Sequence, residues 1–588
     1  MLHFLSEYAR KHELDAEPGF EPKTVKWALL FDASGRYLNA VELGDAGDRR
    51  NRGRVFPKCP ALSQPEMKAG GVTKSHFLAD SVEVIALAGS APTEKARKKH
   101  AYFLELLRMA GGSLPILRAV AQTMGDPDEI EEIKQTLERL RAKPSDSVTI
   151  QADGRFPIES DEWHEWWRDF RSTLRGNTGA GSGKKTDPDR MRCYLSGKLE
   201  PPAATHPKIK GLGDVGGLSM GDVLIGFKQP SFCSYGLAQS ANAAMSEQSA
   251  MTYRTALNAL IADASQRFPG AKVVHWFKGA VADEDDPFDW LMDSPEDREP
   301  AAKHRAARLL ASVRSGQRED LAGNQYYAMT LSGAGGRVMV RDWMEGEFVD
   351  LVRSVDQWFD DLTIVHRSGN GLAPPPKFLA VAGACVRKLD EIQPNWLASL
   401  WRSAIQSTRI PHSLMAAAFL RVKINIIEDE PMNHARMSLL RAYHIRKARL
   451  EGDTTMADTL TAYLNPAHPH PAYHCGRWMA VLAALQRAAL PNVGAGIVQR
   501  YYAAASTTPA LVLGRLVRTS QFHLDKLDGG LAHWYETKLS EISSRVGDRI
   551  PATLTLEEQS LFALGYYQQI AGLRTKKRID ENEEGEAE

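Results

Sequence analysis

The sequence predicts an α+β N-terminal portion with β-hairpins and helices, followed by an all-α C-terminal helical bundle. Three observations support this fold class. Apolar runs flank short turns at two places in the N-terminal part of the chain, which indicates hairpins. Ala373–Pro376 reads Ala-Pro-Pro-Pro and is the clearest break, because proline interrupts both helices and strands. Beyond this break, apolar residues recur at helical spacing along most of the chain.

The N-terminal portion begins with a predicted hairpin in which Trp27–Phe31 and Tyr37–Val41 flank the turn Asp32–Gly35. Helices are expected over about residues 91–111 and 126–142. Another helix follows Ser160 and carries an aromatic stripe at helical spacing, which we interpret as core. The stripe consists of Trp163, Trp166, Trp167, Phe170 and Leu174.

Three domains are predicted. Residues 176–190 are rich in glycine and serine, and this flexible break ends an N-terminal α+β domain, 1–190. A central α+β domain, 191–372, contains a predicted strand at Lys272–Phe277 and a second hairpin, which pairs Gln325–Leu331 with Arg337–Trp343. The C-terminal helical bundle takes residues 377–588.

One helix of this bundle is predicted in detail. Thr508 is placed to cap it, Pro509 occupies its first turn, and Gly529-Gly530 is expected to end it. An apolar seam is formed by Leu513, Leu516, Val517, Ser520, Leu524 and Leu527. A second stripe is cationic and partly aromatic, with Arg515, Arg518, Thr519, Phe522 and Lys526. This stripe suits a phosphate backbone, although a solvated basic face on an ordinary bundle helix fits it as well.

Composition limits the function classes. Lys plus Arg equals Asp plus Glu at 73 each, so the net charge says nothing about nucleic acid, although basic residues outnumber acidic ones between Pro431 and Asp580. An acidic tail, 580–588, follows. The five cysteines form no CxxC pair and predict reduced thiols in a cytoplasmic protein. No apolar run reaches the length of a membrane span, so no membrane association is expected.

The sequence contains no catalytic signature that we can place in a usable context, so we expect neither an enzyme nor a cofactor. Asp283–Asp286 resembles a metal cluster only in composition and is interpreted as a loop without a metal. His468, His470 and His474 are separated by prolines, which argues against a metal pair on one helix face.

Two loops offer groups for nucleic-acid recognition. The first contains Gly70, Gly71, Thr73, Lys74 and Ser75, where glycine permits close backbone approach and Lys74 can donate to a base or phosphate. The second contains Gln239 and Asn242, whose amides suit base edges. A simple turn explains the first loop equally well, and local capping of the next helix explains the second.

Several segments, in order along nearly the whole chain, resemble the large subunit of the type I-C CRISPR Cascade complex, an RNA-guided DNA-surveillance assembly. They include PGFEPKTVKWALLFDASGRYLN near the start, CYLSGKLEPPAATHPKIKGL and QYYAMTLSGAGGRVMVRDWMEGEF in the middle, and the segment from Leu464 to Leu527. The resemblance implies a non-catalytic subunit that recognises the protospacer-adjacent motif on double-stranded DNA, helps to open the duplex, and stabilises the displaced single strand.

On this resemblance, motif recognition falls to the two loops, and the displaced strand follows cationic residues of the bundle: Arg477, Arg487, Arg500, Arg515, Arg518 and Lys526. The implied partners are the CRISPR guide RNA, the Cascade backbone and guide-processing subunits, a small helical subunit, and a helicase-nuclease that is recruited to cut. That small subunit is expected to come from an internal translation start, with Met456 best placed and residues 456–588 as the product. Met432, Met437 and Met479 are alternative starts. A metal-dependent nuclease and a purely structural scaffold are the alternatives.

Overall fold

The computed structural model describes residues 1–14, 17–44, 53–89, 92–176, 190–264, 267–292, 300–427, 432–491 and 496–585. The chain forms two compact units. Unit 1 comprises Met1–Lys210 and Gly221–Ala259, and unit 2 comprises Gly211–Met220 and Leu260–Glu588. The three sequence-based domains have other boundaries and stay a prediction, and most of the predicted break, 177–189, lies outside the described residues.

Unit 1 mixes strands and helices along the chain. Its elements are α1 (Leu2–Lys11), β1 (Phe20–Val25), β2 (Trp27–Phe31), β3 (Tyr37–Glu42), β4 (Arg54–Pro60), α2 (Gln64–Lys68), β5 (Ala79–Ser81), α3 (Val82–Ile85), α4 (Glu94–Ala110), α5 (Ile116–Thr123), α6 (Pro127–Arg139), β6 (Ser147–Ala152), α7 (His164–Gly176), β7 (Met191–Arg192), β8 (Leu199–Glu200), β9 (Lys208–Ile209), β10 (Asp222–Val223) and α8 (Glu247–Asp263), whose last residues belong to unit 2.

The predicted first hairpin is confirmed, since β2 and β3 pair antiparallel in a sheet of order β3-β2-β6-β5. The Asp32 carboxylate shapes the turn by accepting hydrogen bonds from the backbone of Ser34 and Arg36. The aromatic stripe of α7 is core, as predicted. Trp163, just before α7, and Trp167 are fully buried and pack on Phe77. The other stripe residues, Trp166, Phe170 and Leu174, are partly buried against the same core. Buried aromatic area of this kind contributes strongly to a core.

Unit 2 changes from an antiparallel meander to helices. Its elements are β11 (Arg267–Phe268), β12 (Ala271–Phe277), α9 (Pro287–Met292), α10 (Pro300–Arg314), α11 (Glu319–Ala322), β13 (Gln325–Ala334), β14 (Arg337–Glu347), α12 (Phe348–Leu362), α13 (Phe378–Gly383), α14 (Pro394–Gln406), α15 (His412–Ile427), α16 (His434–Glu451), α17 (Thr454–Thr459), α18 (Pro471–Ala489), α19 (Ile497–Thr507), α20 (Pro509–Leu524), α21 (Gly529–Val546) and α22 (Leu556–Gly585).

The second predicted hairpin is confirmed as β13 and β14, which are longer than the sequence pattern indicated. The fold class is confirmed too, because an α+β N-terminal region precedes a helix-rich C-terminal region. One hydrophobic core runs from Phe268 in the meander to Ala571 in α22. The proline-rich segment Ala373–Pro376 therefore ends elements without separating two cores.

Helices α18 and α22 form the centre of the bundle and approach each other at two glycines. A Cβ on Gly476 would lie 1.9 Å from the Phe562 carbonyl oxygen, and one on Gly565 would lie 2.0 Å from that of Tyr473. Only glycine permits this backbone-to-backbone approach. The contact fixes the α18 side chains relative to α22.

Helix α20 has the predicted seam but not the predicted ends. Leu513, Leu516, Ser520 and Leu524 are buried, as expected. The prediction that Gly529-Gly530 ends this helix is wrong, since the two glycines begin α21. The Asp528 carboxylate accepts a hydrogen bond of 2.9 Å from the Leu531 backbone N–H and caps α21. Thr508 does not cap α20 with its side chain, because its hydroxyl donates to the Ala504 carbonyl instead.

Candidate nucleic-acid interface

The outer surface of α20 and its following turn carries a group of exposed cations. We call Leu511, Arg515, Arg518, Phe522 and Lys526 the α20 face. All five side chains are exposed, and Leu511 and Phe522 are 76% and 69% exposed. The buried seam on the opposite side anchors the helix, so these side chains project from a rigid element.

The cations of the α20 face have no acidic partners within the part of the chain that the structure describes. The same holds for Arg500 on α19 and Arg487 on α18, which are exposed as well. Two exposed arginines elsewhere in unit 2 differ in this respect, since Arg353 pairs with Asp350 at 2.5 Å and Arg409 with Glu451 at 2.8 Å. Unpaired exposed arginines keep their charge available for a ligand.

Arg477 does not lie on this surface, although the sequence placed it there. It is 1% exposed and belongs to the core between α18, α21 and α22. Its guanidinium donates to Gln569 at 3.0 Å and pairs with Glu541 at 3.1 Å. The close approach at Gly476 turns the next residue of α18 inward, so Arg477 organises the bundle rather than facing a strand.

The histidines near Arg477 belong to the same network. The His474 imidazole contacts the Arg477 guanidinium at 3.0 Å and the His468 carbonyl at 2.6 Å. His470 caps α18 by accepting from the Ala472 backbone N–H. Burial lowers the pKa of His468 to about 3 and that of His474 to about 4, so both rings are neutral near pH 7. The three histidines serve structure at the helix start.

The loop of residues 69–75, which we call the glycine loop, lies in unit 1. Gly70 and Gly71 are exposed, both have φ near +69°, and a Cβ on either would meet open space. Thr73 is half-buried. The loop thus presents the backbone of Gly70 and Gly71, next to the exposed side chain of Val72, to a ligand that approaches closely.

Lys74 and Ser75 point into unit 1 instead of outward. Lys74 is 4% exposed, and its ammonium donates to the Ala69 carbonyl of the same loop. Burial lowers the pKa of Lys74. Ser75 is fully buried. The sequence assigned Lys74 to a base or phosphate, but the left-handed glycines fold the chain back so that the lysine fastens its own loop.

Residues 230–243 form the second loop, which we call the tyrosine loop. The Asn242 amide accepts from the Ser234 backbone N–H at 2.9 Å and donates to the carbonyls of Leu237 and Gln239 at 3.1 and 3.0 Å. Asn242 therefore shapes the loop with the groups that the sequence assigned to base edges. Gln239 is exposed, with a positive φ of 46°.

Sequence reasoning missed Tyr235, at the tip of the tyrosine loop. Its side chain is 101% exposed and its φ is 53°, a left-handed conformation that is uncommon for an aromatic residue. A tyrosine followed by glycine in a stretch without periodic apolar residues was the available signal. An exposed aromatic ring can stack on a nucleobase.

Asp283–Asp286 is built into the protein as structure. Asp285 pairs with Arg318 at 2.5 Å, and Asp286 contacts His275 at 2.7 Å and accepts from the Phe288 backbone N–H at 2.8 Å. Among the described residues, no group of three or more His, Cys, Asp or Glu side chains could hold a metal ion. No helix in the described ranges is long and apolar enough to cross a membrane.

A comparison with family models matches residues 5–573 to the model described as CRISPR-associated protein (Cas_Csd1). The match covers almost the full length of both units. The chain belongs to the Cas_Csd1 family of CRISPR-associated proteins. None of the curated proteins matches it.

Three separate surfaces of this Cas_Csd1 chain are thus candidates for contact with nucleic acid. Unit 1 contributes the glycine loop and the tyrosine loop, each held by its own hydrogen bonds. Unit 2 contributes the α20 face with Arg487 and Arg500 nearby in sequence on α18 and α19. Of the residues proposed from sequence, Lys74, Ser75, Asn242 and Arg477 are committed to internal contacts or burial, and the rest are accessible or half-buried.

Proposed function

We propose that this Cas_Csd1 chain is the non-catalytic large subunit of a type I-C CRISPR Cascade complex. In this role it recognises the protospacer-adjacent motif on duplex DNA, helps to open the duplex and holds the displaced strand. The guide RNA recognises the rest of the target by base pairing, so the protein needs only local contacts to bases. Cleavage is left to a helicase-nuclease that the complex recruits.

The observation that carries the proposal is the α20 face. Its two arginines lie on one side of helix α20 together with the exposed ring of Phe522, and Lys526 lies in the turn that follows. Cations bind the phosphate backbone of a single strand without regard to its sequence, and an exposed aromatic ring adds stacking on a base. This pairing of charge with an aromatic ring matches what a displaced strand requires.

Motif recognition is assigned to the two loops of unit 1 in a revised form. Lys74 and Asn242 use their polar groups inside the loops. The contacts to bases therefore come from the exposed backbone at Gly70 and Gly71 and from the exposed amide of Gln239, which can donate and accept at a base edge. The tyrosine ring at 235 supports unstacking of the adjacent base pair.

The decisive experiment is a gel shift of the assembled complex on duplexes that share the guide-matched sequence and differ in the flanking bases. We expect binding to depend on the flanking bases, and we expect Gln239→Ala to weaken this dependence while Lys210→Ala, an exposed cation of the same unit, preserves it. Equal binding to every flanking sequence would contradict motif recognition and favour a scaffold. Magnesium-dependent cleavage by the purified chain would favour the nuclease alternative.

A further inference from the structure

One arginine of unit 1 contacts the stems of both loops. Arg171 lies on α7, and its side chain is buried. Its guanidinium nitrogen Nη2 lies 2.8 Å from a Glu66 carboxylate oxygen and 2.9 Å from a Glu247 carboxylate oxygen. Glu66 lies on α2, which ends directly before the glycine loop, and Glu247 is the first residue of α8, which follows the tyrosine loop. Two loops that are distant along the chain are thus joined at one side chain.

The Glu66 carboxylate also shapes the stem of the glycine loop. One of its oxygens accepts a hydrogen bond of 2.7 Å from the Ser63 backbone N–H and so caps α2, while the other pairs with Arg171. Burial raises the pKa of Glu66, but the Arg171 charge and the hydrogen bonds from Ser63 outweigh this effect and lower the pKa. The carboxylate is therefore ionised near pH 7 and fixes α2 to α7.

The stem of the tyrosine loop is fastened as well. The His206 Nε2 atom lies 3.1 Å from the Ala243 carbonyl oxygen and donates to it, because a carbonyl only accepts. The Tyr194 backbone N–H donates to the Ala244 carbonyl at 3.0 Å. These bonds hold the chain between the loop and Glu247. The position of Glu247 is therefore tied to that of the tyrosine loop.

The Arg171 guanidinium occupies a slot that glycine leaves open. Gly19 has a φ of +94°, and a Cβ there would overlap the Arg171 guanidinium. The Gly19 carbonyl accepts a hydrogen bond of 2.8 Å from the Trp167 ring nitrogen, one turn earlier on α7. Only glycine permits this approach of backbone to side chain. The slot restricts where the guanidinium can point.

This arrangement is suited to positioning more than to stability. A buried ion pair is a weak source of stability, because the cost of removing charges from water offsets most of their attraction. Two carboxylates next to one guanidinium nitrogen also repel each other. The arrangement does provide a directional link, since charge-assisted hydrogen bonds fix the geometry of the groups that they join. A fixed relation between two loops is what joint recognition of a few base pairs requires.

We propose that Arg171 is a positioning residue that holds the stems of the glycine loop and the tyrosine loop in a fixed relation, so that both loops contact the same few base pairs of a DNA duplex. The inference rests on the proposed function, in which the two loops recognise the motif. It adds a buried residue that contacts no DNA itself and acts on recognition through both loops.

The test variant is R171M/E66Q. Methionine fills much of the arginine volume, and glutamine removes the buried charge that would otherwise be left unpaired while it keeps the capping box of α2. Glu247 is 22% exposed and keeps contact with water. The matched control is R254M/E21Q, which makes the same replacements in a similarly buried pair of 2.7 Å between α8 and β1. Thermal unfolding checks that each variant is folded.

The first measurement is amide hydrogen exchange of the purified full-length chain. We expect the peptides of α2 and of the first turn of α8 to exchange about tenfold faster in R171M/E66Q, because hydrogen bonds to charged groups are lost at both stems. E66Q alone keeps Arg171 with Glu247 and should leave the α8 peptide near its wild-type rate. The control should leave α2 unchanged. Wild-type exchange of the α8 peptide in R171M/E66Q would overturn the proposal.

The second measurement is the gel shift of the assembled complex on duplexes with different flanking bases. We expect R171M/E66Q to lower the ratio of affinities between the most and the least preferred flanking sequence by about tenfold. Adding Gln239→Ala to this variant should have little further effect, since Gln239 then no longer has a fixed position. Adding it to the control should lower the ratio as it does in the wild type.

The proposal is overturned if R171M/E66Q keeps the wild-type ratio, if R254M/E21Q loses as much, or if the effects of R171M/E66Q and Gln239→Ala simply add. A wild-type complex that ignores the flanking bases contradicts the proposed function instead, and with it the DNA contact assigned to the joined loops. Amide exchange, which needs neither DNA nor the complex, then still decides whether Arg171 joins the two stems.

Discussion

Charged side chains of the same type have different roles here according to the partners around them. Asp361, on α12, is 1% exposed and accepts from Arg446 at 2.8 Å and from Arg449 at 2.6 Å. Arg446 also lies over the Trp358 ring at 5.1 Å. Burial lowers the pKa of Arg446, but the adjacent carboxylate opposes this shift. The Asp361 carboxylate thus supplies the counter-charge for buried Arg446 and also pairs with the more exposed Arg449.

Asp361→Asn should destabilise unit 2 by about 3–5 kcal/mol, because a buried guanidinium then loses its counter-charge. The matched control is Asp350→Asn on the same helix, whose pair with Arg353 is exposed on both sides. An exposed pair contributes about 0–1 kcal/mol. The measurement is the urea unfolding transition followed by tryptophan fluorescence. Similar midpoints for both variants would mean that Asp361 does not carry the stability assigned to it.

The residue scale is also where sequence-based prediction of the site was weakest. Composition correctly marks Lys74 and Arg477 as cations, but it does not give the direction of a side chain. Lys74 turns inward because the left-handed backbone at Gly70 and Gly71 brings the Ala69 carbonyl within its reach. Arg477 turns inward because Gly476 brings α22 against its side of α18. Both outcomes depend on contacts between residues that are distant along the chain or on backbone dihedrals.

Elements were predicted better than their ends. The period of apolar residues is a local property of the sequence. It predicted the hairpin β2–β3, the hairpin β13–β14 and the aromatic stripe of α7. The boundary between α20 and α21 was wrong because two signals compete there. Glycine favours the end of a helix, but Asp528 caps the next one and decides the outcome.

The position of the α20 face on one helix leads to a prediction about DNA binding by the complex. Arg515→Ala with Arg518→Ala should weaken binding to all target sequences and lower the salt slope by about 0.7 for each lost contact with a single strand. Arg515→Lys with Arg518→Lys should retain most of the slope because the charge stays. The measurement is target affinity across a salt series. An unchanged affinity at low salt would show that the face is only solvated.

The whole molecule consists of two units, and different kinds of elements form their hydrophobic cores. The core of unit 1 is centred on aromatic packing around Phe77 and α7. The core of unit 2 is continuous from Phe268 in the meander to Ala571 in α22. The prolines at 373–376 were interpreted as a domain boundary, and the division into three domains stays a prediction. Continuity of a core is visible only when distant elements have been brought together.

That continuity bears on the expected small subunit of residues 456–588. Met456 lies inside α17, so a product that starts there retains α18–α22 and lacks α16. In the full chain, α16 contacts α22 through the Glu557 carboxylate, which pairs with Lys447 at 2.5 Å and accepts from the Tyr443 hydroxyl, and through His444, which lies 2.5 Å from the Ser560 hydroxyl. Ser560 is fully buried by these neighbours.

A fragment of residues 456–588 should therefore be less stable than one of residues 432–588, which keeps α16. Charge-assisted hydrogen bonds contribute about 1.5–3 kcal/mol each, so we expect a melting temperature lower by about 5 °C or more. Glu557→Gln should lower the melting temperature of the longer fragment and leave that of the shorter one nearly unchanged, since only the longer one contains the partners. If both fragments melt together, α16 does not stabilise the bundle, and a start at Met456 removes nothing that the small subunit needs.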